Sequence, residues 1–247
     1  MIRAAYFQMA GAGKPFNQDA LFNGVEVKQA KLKKSCWVEL DGASLRFALA
    51  DGVFNSPAPQ KASKFWMQQF ALDGQATAAF LKQHFNRFCE SMQPEHYGSS
   101  TTFAAVTLTE NGQVILCNVG DSRIYHIDVD GKWMQISHDH TLLAALIEEG
   151  KASAEIEYAG IYYSLEECLI ADFEEAHFKV FTHQCRLNDG ESLILCSDGL
   201  SDSLTHTQLE HIWQSHDSIL AKLEALRLAV KKVPYHDDCS VICIQAV

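Results

Sequence analysis

The chain has no long apolar run and no excess of positive charge, and each absence excludes a class of protein. A membrane-spanning helix needs about 20 consecutive apolar residues, and no uninterrupted apolar run of this chain approaches that length. The formal net charge of −11 opposes binding to nucleic acid or to an acidic membrane surface. The first residues, 1–8, lack the apolar core of a signal peptide. We therefore expect a cytoplasmic protein with neither a nucleic-acid nor a membrane partner.

The residue spacings that close small domains or bind zinc are also missing. The eight cysteines include no Cys-x-x-Cys pair, and Cys117, Cys196 and Cys243 lie within apolar runs. Such cysteines behave as small core hydrophobes in a reducing compartment. The eleven histidines show no His-Glu-x-x-His or zinc-finger spacing. With only five prolines and no linker or repeat, we expect a single domain over residues 1–247, acting as a monomer.

Aspartates are placed where apolar runs end, and this is the most informative feature of the sequence. A lone Asp-Gly pair most often marks a simple turn, but that explanation fits four separate strand ends less well. Carboxylates gathered from distant strand ends would form an oxygen-only site, which suits Mg²⁺ or Mn²⁺. The four segments are Asp51-Gly52, Gly120-Asp121, Asp198-Gly199 and Asp237-Asp238.

The order of strands and helices is not the regular alternation of a parallel α/β sheet. Helices are predicted at 59–72 and 141–149, and two more have apolar faces made by Leu81, Phe85, Phe88, Met92 and by Ile219, Leu223, Leu226, Val230. Strands are predicted at 2–9, 20–27, 45–50, 101–108, 113–119, 122–129, 132–136, 177–182, 191–196 and 239–246. This order predicts an α+β fold of antiparallel sheets covered by helices.

With its aspartates in this order, the chain resembles the metal-dependent serine/threonine protein phosphatases of the protein phosphatase 2C (PPM) family, in their compact, stand-alone bacterial form. The resemblance extends from Lys14 to about Ile244. Each motif alone is weak, but together they follow the family's order: Asn17-Gln18-Asp19, Ala50-Asp51-Gly52, Gly98-Ser99-Ser100-Thr101-Thr102, Val119-Gly120-Asp121-Ser122-Arg123, Ser137-His138-Asp139-His140, Ser197-Asp198-Gly199-Leu200-Ser201-Asp202 and Asp237-Asp238-Cys239-Ser240-Val241.

The resemblance implies a four-layer α-β-β-α sandwich with two Mn²⁺ or Mg²⁺ ions at one end, and a third ion as in many members. Asp51 would bridge both ions, and Gly52 would offer its carbonyl oxygen. The other predicted metal ligands are Asp198 and Asp237, with Asp121 and Asp202 joining Asp198 at the third ion. Asp19 would hold metal-bound water, and Lys14 would bind the phosphate of the substrate.

The resemblance also implies a reaction: a water activated by two metal ions attacks the phosphorus of a phosphoserine or phosphothreonine, without a protein nucleophile. The partners would be a phosphorylated protein and the serine/threonine kinase that the enzyme opposes. Two alternatives stay open. One is a catalytically silent relative that binds phosphoproteins as a regulatory module; the other is a hydrolase of small phosphoesters.

Four positions depart from the family pattern. Lys14 replaces a common arginine and lacks its two-pronged guanidinium, and it could instead be a solvated loop lysine. Gln18 replaces a glutamate, which removes a charge near the second metal. Val53 stands where many members have a histidine, so a metal-bound water or another group must protonate the leaving oxygen. Asp238 replaces an asparagine, which leaves Asp237 and Asp238 as competing ligands.

Residues 150–186 are predicted to form a flap beside the site. The segment holds seven acidic residues interleaved with tyrosines: Glu155, Glu157, Glu166, Glu167, Asp172, Glu174 and Glu175. These acids are either a solvated loop face or a device that selects substrates with Lys or Arg near the phosphorylated residue.

Overall fold

Two six-stranded antiparallel sheets form the centre of the computed structural model, which describes residues 2–246. One sheet has the strand order β10-β9-β13-β14-β1-β4, made of Trp133–Gln135, Arg123–Ile127, Ser192–Cys196, Cys239–Ala246, Ile2–Met9 and Cys36–Leu40. The other has the order β12-β8-β7-β5-β2-β3, made of Phe181–Arg186, Gln113–Val119, Phe103–Thr109, Ser44–Ala50, Ala20–Phe22 and Val27–Lys28. A short pair joins β6 (Ser100–Thr101) to β11 (Leu169–Ile170).

The pairing registers bring the aspartate-bearing strand ends to the same edge. In one sheet the start of β2 lies opposite the end of β5, with Ala20 paired to Ala50. In the other sheet the end of β13 lies beside the start of β14, with Cys196 paired to Val241. Because neighbouring strands run antiparallel, a carboxylate that precedes one strand meets a carboxylate that follows the next.

Helices cover the outer face of each sheet, which confirms the predicted four-layer order. Alternating residues of β1 show the division: Ala4 and Tyr6 face the core between the sheets, whereas Ala5 and Phe7 face the outer helices. On one side lie α1 (Pro59–Asp73) and α2 (Ala78–Met92); on the other lie α5 (His206–Gln214) and α6 (Ile219–Lys231). The remaining helices are α3 (Leu142–Glu148), α4 (Asp198–Ser201) and the 3₁₀ turns Gly160–Tyr163 and Phe173–Glu175.

The predicted apolar helix faces are confirmed. In α2 the side chains of Leu81, Phe85 and Phe88 are buried, and the helix begins where the Thr77 hydroxyl accepts a hydrogen bond from Phe80 N. Within the described residues, no helix has both the length and the apolar character to cross a membrane.

Some sequence-based boundaries are wrong or incomplete. The predicted strand 20–27 is divided by a turn in which Asn23 Oδ1 accepts hydrogen bonds from Val25 N and Glu26 N. The strand predicted at 177–182 begins only at Phe181, and it pairs with β8 at the sheet edge. The edge strand β4 was missed because its residues are only half-buried or exposed. Helix α5 was missed although Thr205 and Gln208 form a capping box before it.

Candidate active site

Most of the predicted site residues meet in one pocket at the shared edge of the sheets. The pocket is about 110 Å³ in volume and contains Lys14, Asp51, Gly52, Asp121, Asp198 and Asp237. These residues come from different strand ends of both sheets, so only the folded sandwich brings them together. Asp202 lines an adjoining groove together with Asp121 and Asp198.

The carboxylates of the pocket repel one another. Burial, followed by the charges of Asp19 and Asp198, raises the pKa of Asp51 well above its ordinary value. Burial and then the charge of Asp198 raise the pKa of Asp121 to about 8, and burial raises that of Asp198 to about 6. Burial also raises the pKa of Asp202. A bound cation would relieve this repulsion and favour the ionised carboxylates.

Asp19 lies fully buried beside this cluster, immediately before β2. Its Oδ2 accepts a hydrogen bond of 2.9 Å from Ser197 Oγ, whereas its Oδ1 has no hydrogen-bond partner. Burial, followed by the charge of Asp238, raises its pKa to about 7. Leaving a buried carboxylate oxygen without a partner is costly, so this orphaned oxygen is one sign that the site is built for an additional group.

The backbone of Asp51 is held firmly by the β6–β7 segment. Its N donates to Thr102 Oγ1 at 3.0 Å, and its carbonyl oxygen accepts from Thr102 N at 2.8 Å and from Thr101 Oγ1 at 2.7 Å. Thr102 Oγ1 in turn lies 2.7 Å from the buried Ser122 Oγ. This network fixes the position of the Asp51 backbone before any ligand arrives.

The glycines after Asp51 and Asp198 are required because neighbouring backbone leaves no room for a Cβ atom, and not because the chain makes a left-handed turn. A Cβ on Gly52 would lie 2.6 Å from the backbone of Pro59, and one on Gly199 would lie 2.0 Å from the carbonyl oxygen of Asp238. Neither glycine has a positive φ. The Asp-Gly pairs therefore allow close backbone packing directly beneath the carboxylates, and the simple-turn interpretation fails at both positions.

Asp237 and Asp238 have opposite surroundings, which separates the two candidates. The Asp238 side chain is only 2% exposed and accepts hydrogen bonds from Gly11 N at 2.7 Å and from Gln18 N at 3.0 Å. Asp237 is 50% exposed and lines the pocket. Asp238 thus fastens the loop before β2 to the start of β14, while Asp237 is the aspartate open to a ligand.

Lys14 lies inside this arrangement and not out in solvent. Its ammonium forms an ion pair with Asp237, lies 3.1 Å from Asp238 Oδ2 and donates to Gln18 Oε1 at 3.1 Å. It also lies 5.2 Å from the centre of the Phe54 ring. Burial by itself would lower the pKa of Lys14, but the hydrogen bond to Asp237 and the charges of both aspartates raise it.

Arg123 is a charge partner within the protein. Its Nη2 lies 2.6 Å from Asp139 Oδ2, and its Nε donates to the same carboxylate at 2.9 Å. Tyr125 OH accepts a further hydrogen bond of 3.2 Å from Nη1. This fork-shaped pairing leaves Arg123 committed to Asp139 at the edge of the groove that contains Asp202.

The donor set fits a hard divalent cation. All the gathered side-chain donors are carboxylate oxygens, their pKa values are raised by crowding, and buried Oδ1 atoms of Asp19 and Asp198 lack partners. In residues 2–246, however, no three His, Cys, Asp or Glu side chains already have the geometry to hold an ion.

The family profile described as protein phosphatase 2C matches residues 16–232, which include nearly every motif that lines the pocket. The chain belongs to the protein phosphatase 2C family. Among known proteins, the serine/threonine phosphatase stp of Listeria welshimeri is 27% identical over 149 residues. The match covers 60% of this chain and 57% of that protein, so the chain spans little more than half the length of this curated relative.

Solved structures of protein phosphatases share the fold. Stp1 from Staphylococcus aureus superposes with a TM-score of 0.79 at 20% identity, covering 100% of this chain and 96% of that one. The catalytic domain of the phosphatase PstP, in complex with two manganese ions, superposes with a TM-score of 0.75 at 21% identity, covering 100% and 98% of the two chains. At these identities the likeness establishes the four-layer fold of this protein phosphatase 2C family member.

Several residues of the site were not assigned a role from the sequence. Ser197, which holds Asp19, and Thr102, which holds Asp51, are inside recognised motifs, so their positions were signalled although their contacts were not. Phe54 and Leu165 also line the pocket. Leu165 belongs to the flap, and no local pattern marks a single leucine 114 residues after Asp51 as its neighbour.

Proposed function

We propose that this family member is a metal-dependent phosphoprotein phosphatase that hydrolyses phosphoserine and phosphothreonine. The observation that carries the proposal is the convergence of four separate strand-end aspartates and Lys14 on one pocket. The Listeria relative is named a serine/threonine phosphatase, and the related PstP domain binds two manganese ions. Both facts support the same activity for this chain.

In this proposal the pocket carboxylates hold two Mn²⁺ or Mg²⁺ ions. Asp51, Asp198 and Asp237, together with the carbonyl oxygen of Gly52, would hold these ions. The exposure of Asp237 and the full engagement of Asp238 with Gly11 and Gln18 support this choice. Asp121 and Asp202, together with Asp198, would bind a third ion in the adjoining groove. Bound divalent cations supply an activated water and offset the charge of the phosphoryl group.

Lys14 and Asp19 serve the substrate and the water. Lys14 is held by Asp237, Asp238 and Gln18 on the wall of the pocket, where its ammonium can bind a phosphate oxygen as a point charge. Asp19 keeps one oxygen on Ser197 and has the other without a partner, so it can accept a hydrogen bond from water beside Asp51. Val53 lines the pocket and has no proton to give the leaving oxygen.

The substrate would be a phosphorylated protein, and the partner enzyme a serine/threonine kinase whose product this phosphatase removes. Two observations favour the alternative of a catalytically weak or silent phosphoprotein-binding relative. Lys14 forms an ion pair with Asp237 where a cation should bind, and the described carboxylates do not yet have metal-binding geometry.

Turnover with and without metal separates these functions. The purified protein should hydrolyse p-nitrophenyl phosphate and a phosphothreonine peptide with Mn²⁺, and EDTA should abolish both activities. A phosphatase rate that persists after exhaustive chelation would contradict the metal mechanism. Binding of phosphopeptide without turnover would favour the silent relative. Turnover of small phosphate metabolites, but of no phosphopeptide, would identify a small-phosphoester hydrolase.

A further inference from the structure

Helix α3 is apolar from Leu142 to Ile147, and each of these six residues is only partly buried. Its residues from Leu142 to Ile147 are Leu-Leu-Ala-Ala-Leu-Ile, but none of the residues of the helix is fully buried. A helix that is apolar on all sides is normally enclosed by protein. Within residues 2–246, the apolar side chains of α3 are therefore only partly covered.

This helix forms one wall of a groove that adjoins the catalytic pocket. The groove is about 400 Å³ in volume, and its apolar wall consists of Leu143, Ala144 and Ile147 from α3 with Ala154, Ile156 and Tyr163 from the flap. We call it the flap groove. Its floor includes Asp121 and Asp198, which also line the catalytic pocket. The flap groove therefore lies beside the catalytic pocket, within reach of residues that neighbour a phosphorylated residue bound near Asp51.

The apolar wall is held in position by the body of the protein. Leu142 N donates to Ser164 O at 3.1 Å, and Glu166 N donates to His140 O at 2.9 Å. Inside the flap, Tyr158 OH accepts a hydrogen bond of 2.9 Å from Ser153 N, and the Tyr158 ring packs 5.2 Å from that of Tyr162. The segment is thus ordered by its own contacts, although Ile156 is 57% exposed.

The opposite wall of the flap groove is polar and already satisfied. Arg123 is paired with Asp139, and Gln135 Nε2 donates to the same aspartate at 2.7 Å. The flap acids that the sequence offered as a filter for basic substrates do not line the flap groove; Glu166 and Glu167 line a different pocket, beside Lys179. The surface that faces the incoming substrate is therefore apolar on the flap side.

We propose that the flap groove binds a bulky apolar side chain of the phosphoprotein substrate, within a few residues of the phosphorylated serine or threonine. This inference rests on the proposed phosphatase function and adds a substrate preference to it. The apolar wall has the chemistry to bind Leu, Ile, Met or Phe. The groove has a volume of about 400 Å³, and each water bound to a third cation would take up roughly 30 Å³. The cation and its waters would therefore occupy only the acidic floor, and the apolar wall would stay free to bind a side chain.

The test compares phosphothreonine peptides that carry either Leu or Ser at each of the three positions on both sides of the phosphothreonine. At one or more positions, the unmodified enzyme should prefer Leu by about tenfold in kcat/KM. Ile156→Ser should reduce this preference to less than about threefold, and Ile156→Leu should keep it. The matched control is Ile161→Ser, because Ile161 is 70% exposed in the same flap but does not line the groove; it should leave the preference unchanged.

Each other outcome overturns the proposal. Equal rates for Leu and Ser peptides at all positions would show that the groove does not select apolar residues. An equal loss in Ile156→Ser and Ile161→Ser would assign the effect to general disturbance of the flap. A dimer in sedimentation velocity that Ile156→Ser abolishes, with unchanged peptide preference, would make a second copy of the chain the occupant. If even p-nitrophenyl phosphate is not hydrolysed with Mn²⁺, the proposed function fails first, and this preference fails with it.

Discussion

The two sides of the catalytic pocket are built in opposite ways. On one side, Lys14, Asp237 and Asp238 connect the loop before β2 to the start of β14 through short polar contacts. On the other side, α3 presents partly buried apolar residues, and the flap presents the exposed side chains of Ile156 and Tyr163. Charged groups whose contacts are satisfied hold a fixed geometry, whereas exposed apolar groups gain free energy only when a ligand covers them. In the proposed function, the polar side would hold the cations and the phosphate in a fixed geometry, and the apolar side would select the substrate.

The largest expected effect is the loss of turnover when a predicted metal ligand is changed. Asp51→Asn and Asp198→Asn should each lower kcat/KM by at least about 1,000-fold, roughly 4 kcal/mol, because each removes a charge that binds the cations. Both variants should remain folded in EDTA, and their apo melting temperatures should stay equal or rise, since each relieves repulsion among crowded carboxylates. Near-normal rates in both variants would contradict the assignment of the site.

Asp237 and Asp238 allow a metal ligand to be distinguished from a residue that only holds the loop before β2 in place. Asp237→Ala should weaken Mn²⁺ binding in calorimetry and leave the apo melting temperature nearly unchanged, because this side chain is half-exposed. Asp238→Ala should instead lower the free energy of unfolding by about 2–4 kcal/mol, since it leaves buried amides of the loop without an acceptor. For turnover, Asp237→Asn should be more harmful than Asp238→Asn. The reverse order would move the ligand by one position.

The buried carboxyl groups in and beside the catalytic pocket should also make the stability of the metal-free protein depend on pH. The folded-state pKa values of Asp198, Asp19 and Asp121 are raised to about 6, about 7 and about 8. Groups whose pKa is raised on folding bind more protons in the folded state. The contribution of these three carboxyls to stability is therefore greatest at about pH 4 and below, and it is lost as the pH rises through their folded-state pKa values. In EDTA the melting temperature should therefore fall from pH 5 to pH 8. Mn²⁺ should raise it most at the upper end of that range; a flat profile would contradict the crowding.

A smaller effect is expected at Lys14, which in the proposed function would bind only one oxygen of the phosphate. Lys14→Ala should raise KM for p-nitrophenyl phosphate by roughly three- to tenfold, because the phosphate loses its cationic partner. Lys14→Arg should preserve or improve binding. Unchanged kinetics in Lys14→Ala would mean that the lysine serves only Asp237 and Asp238.

The smallest effect is expected from the acids of the flap. Neutralising Glu166, Glu167, Glu174 and Glu175 together should change the discrimination between basic and acidic phosphopeptides by less than about threefold, because these acids lie outside the flap groove. Exposed charges are also screened over about 8 Å at physiological ionic strength. A much larger, salt-dependent change would restore the acidic flap as the main substrate filter and reduce the role of its apolar wall.

The sequence by itself predicted the fold class and most of the residues that line the pocket. Apolar runs interrupted by Asp-Gly predict strands that end in carboxylates, because alternating burial and turn chemistry are local properties. The order of strands and helices then predicted antiparallel sheets covered by helices. The resemblance to the protein phosphatase 2C family named Asp51, Asp198 and Lys14, all of which line the pocket. Local patterns were weaker at the sheet edges, where β4 is half-exposed and β12 begins later than predicted.

Only the tertiary structure decided which neighbours those residues have. The difference between Asp237 and Asp238 depends on amides of Gly11 and Gln18, more than 200 residues earlier in the chain. The glycines at positions 52 and 199 are required by backbone that approaches from other segments, which no Asp-Gly pattern can reveal. Likewise, the apolar run of α3 predicts a helix, but it does not predict that these residues remain only partly buried beside the carboxylates. Burial and close approach result from how distant segments pack, and local sequence carries no direct record of that packing.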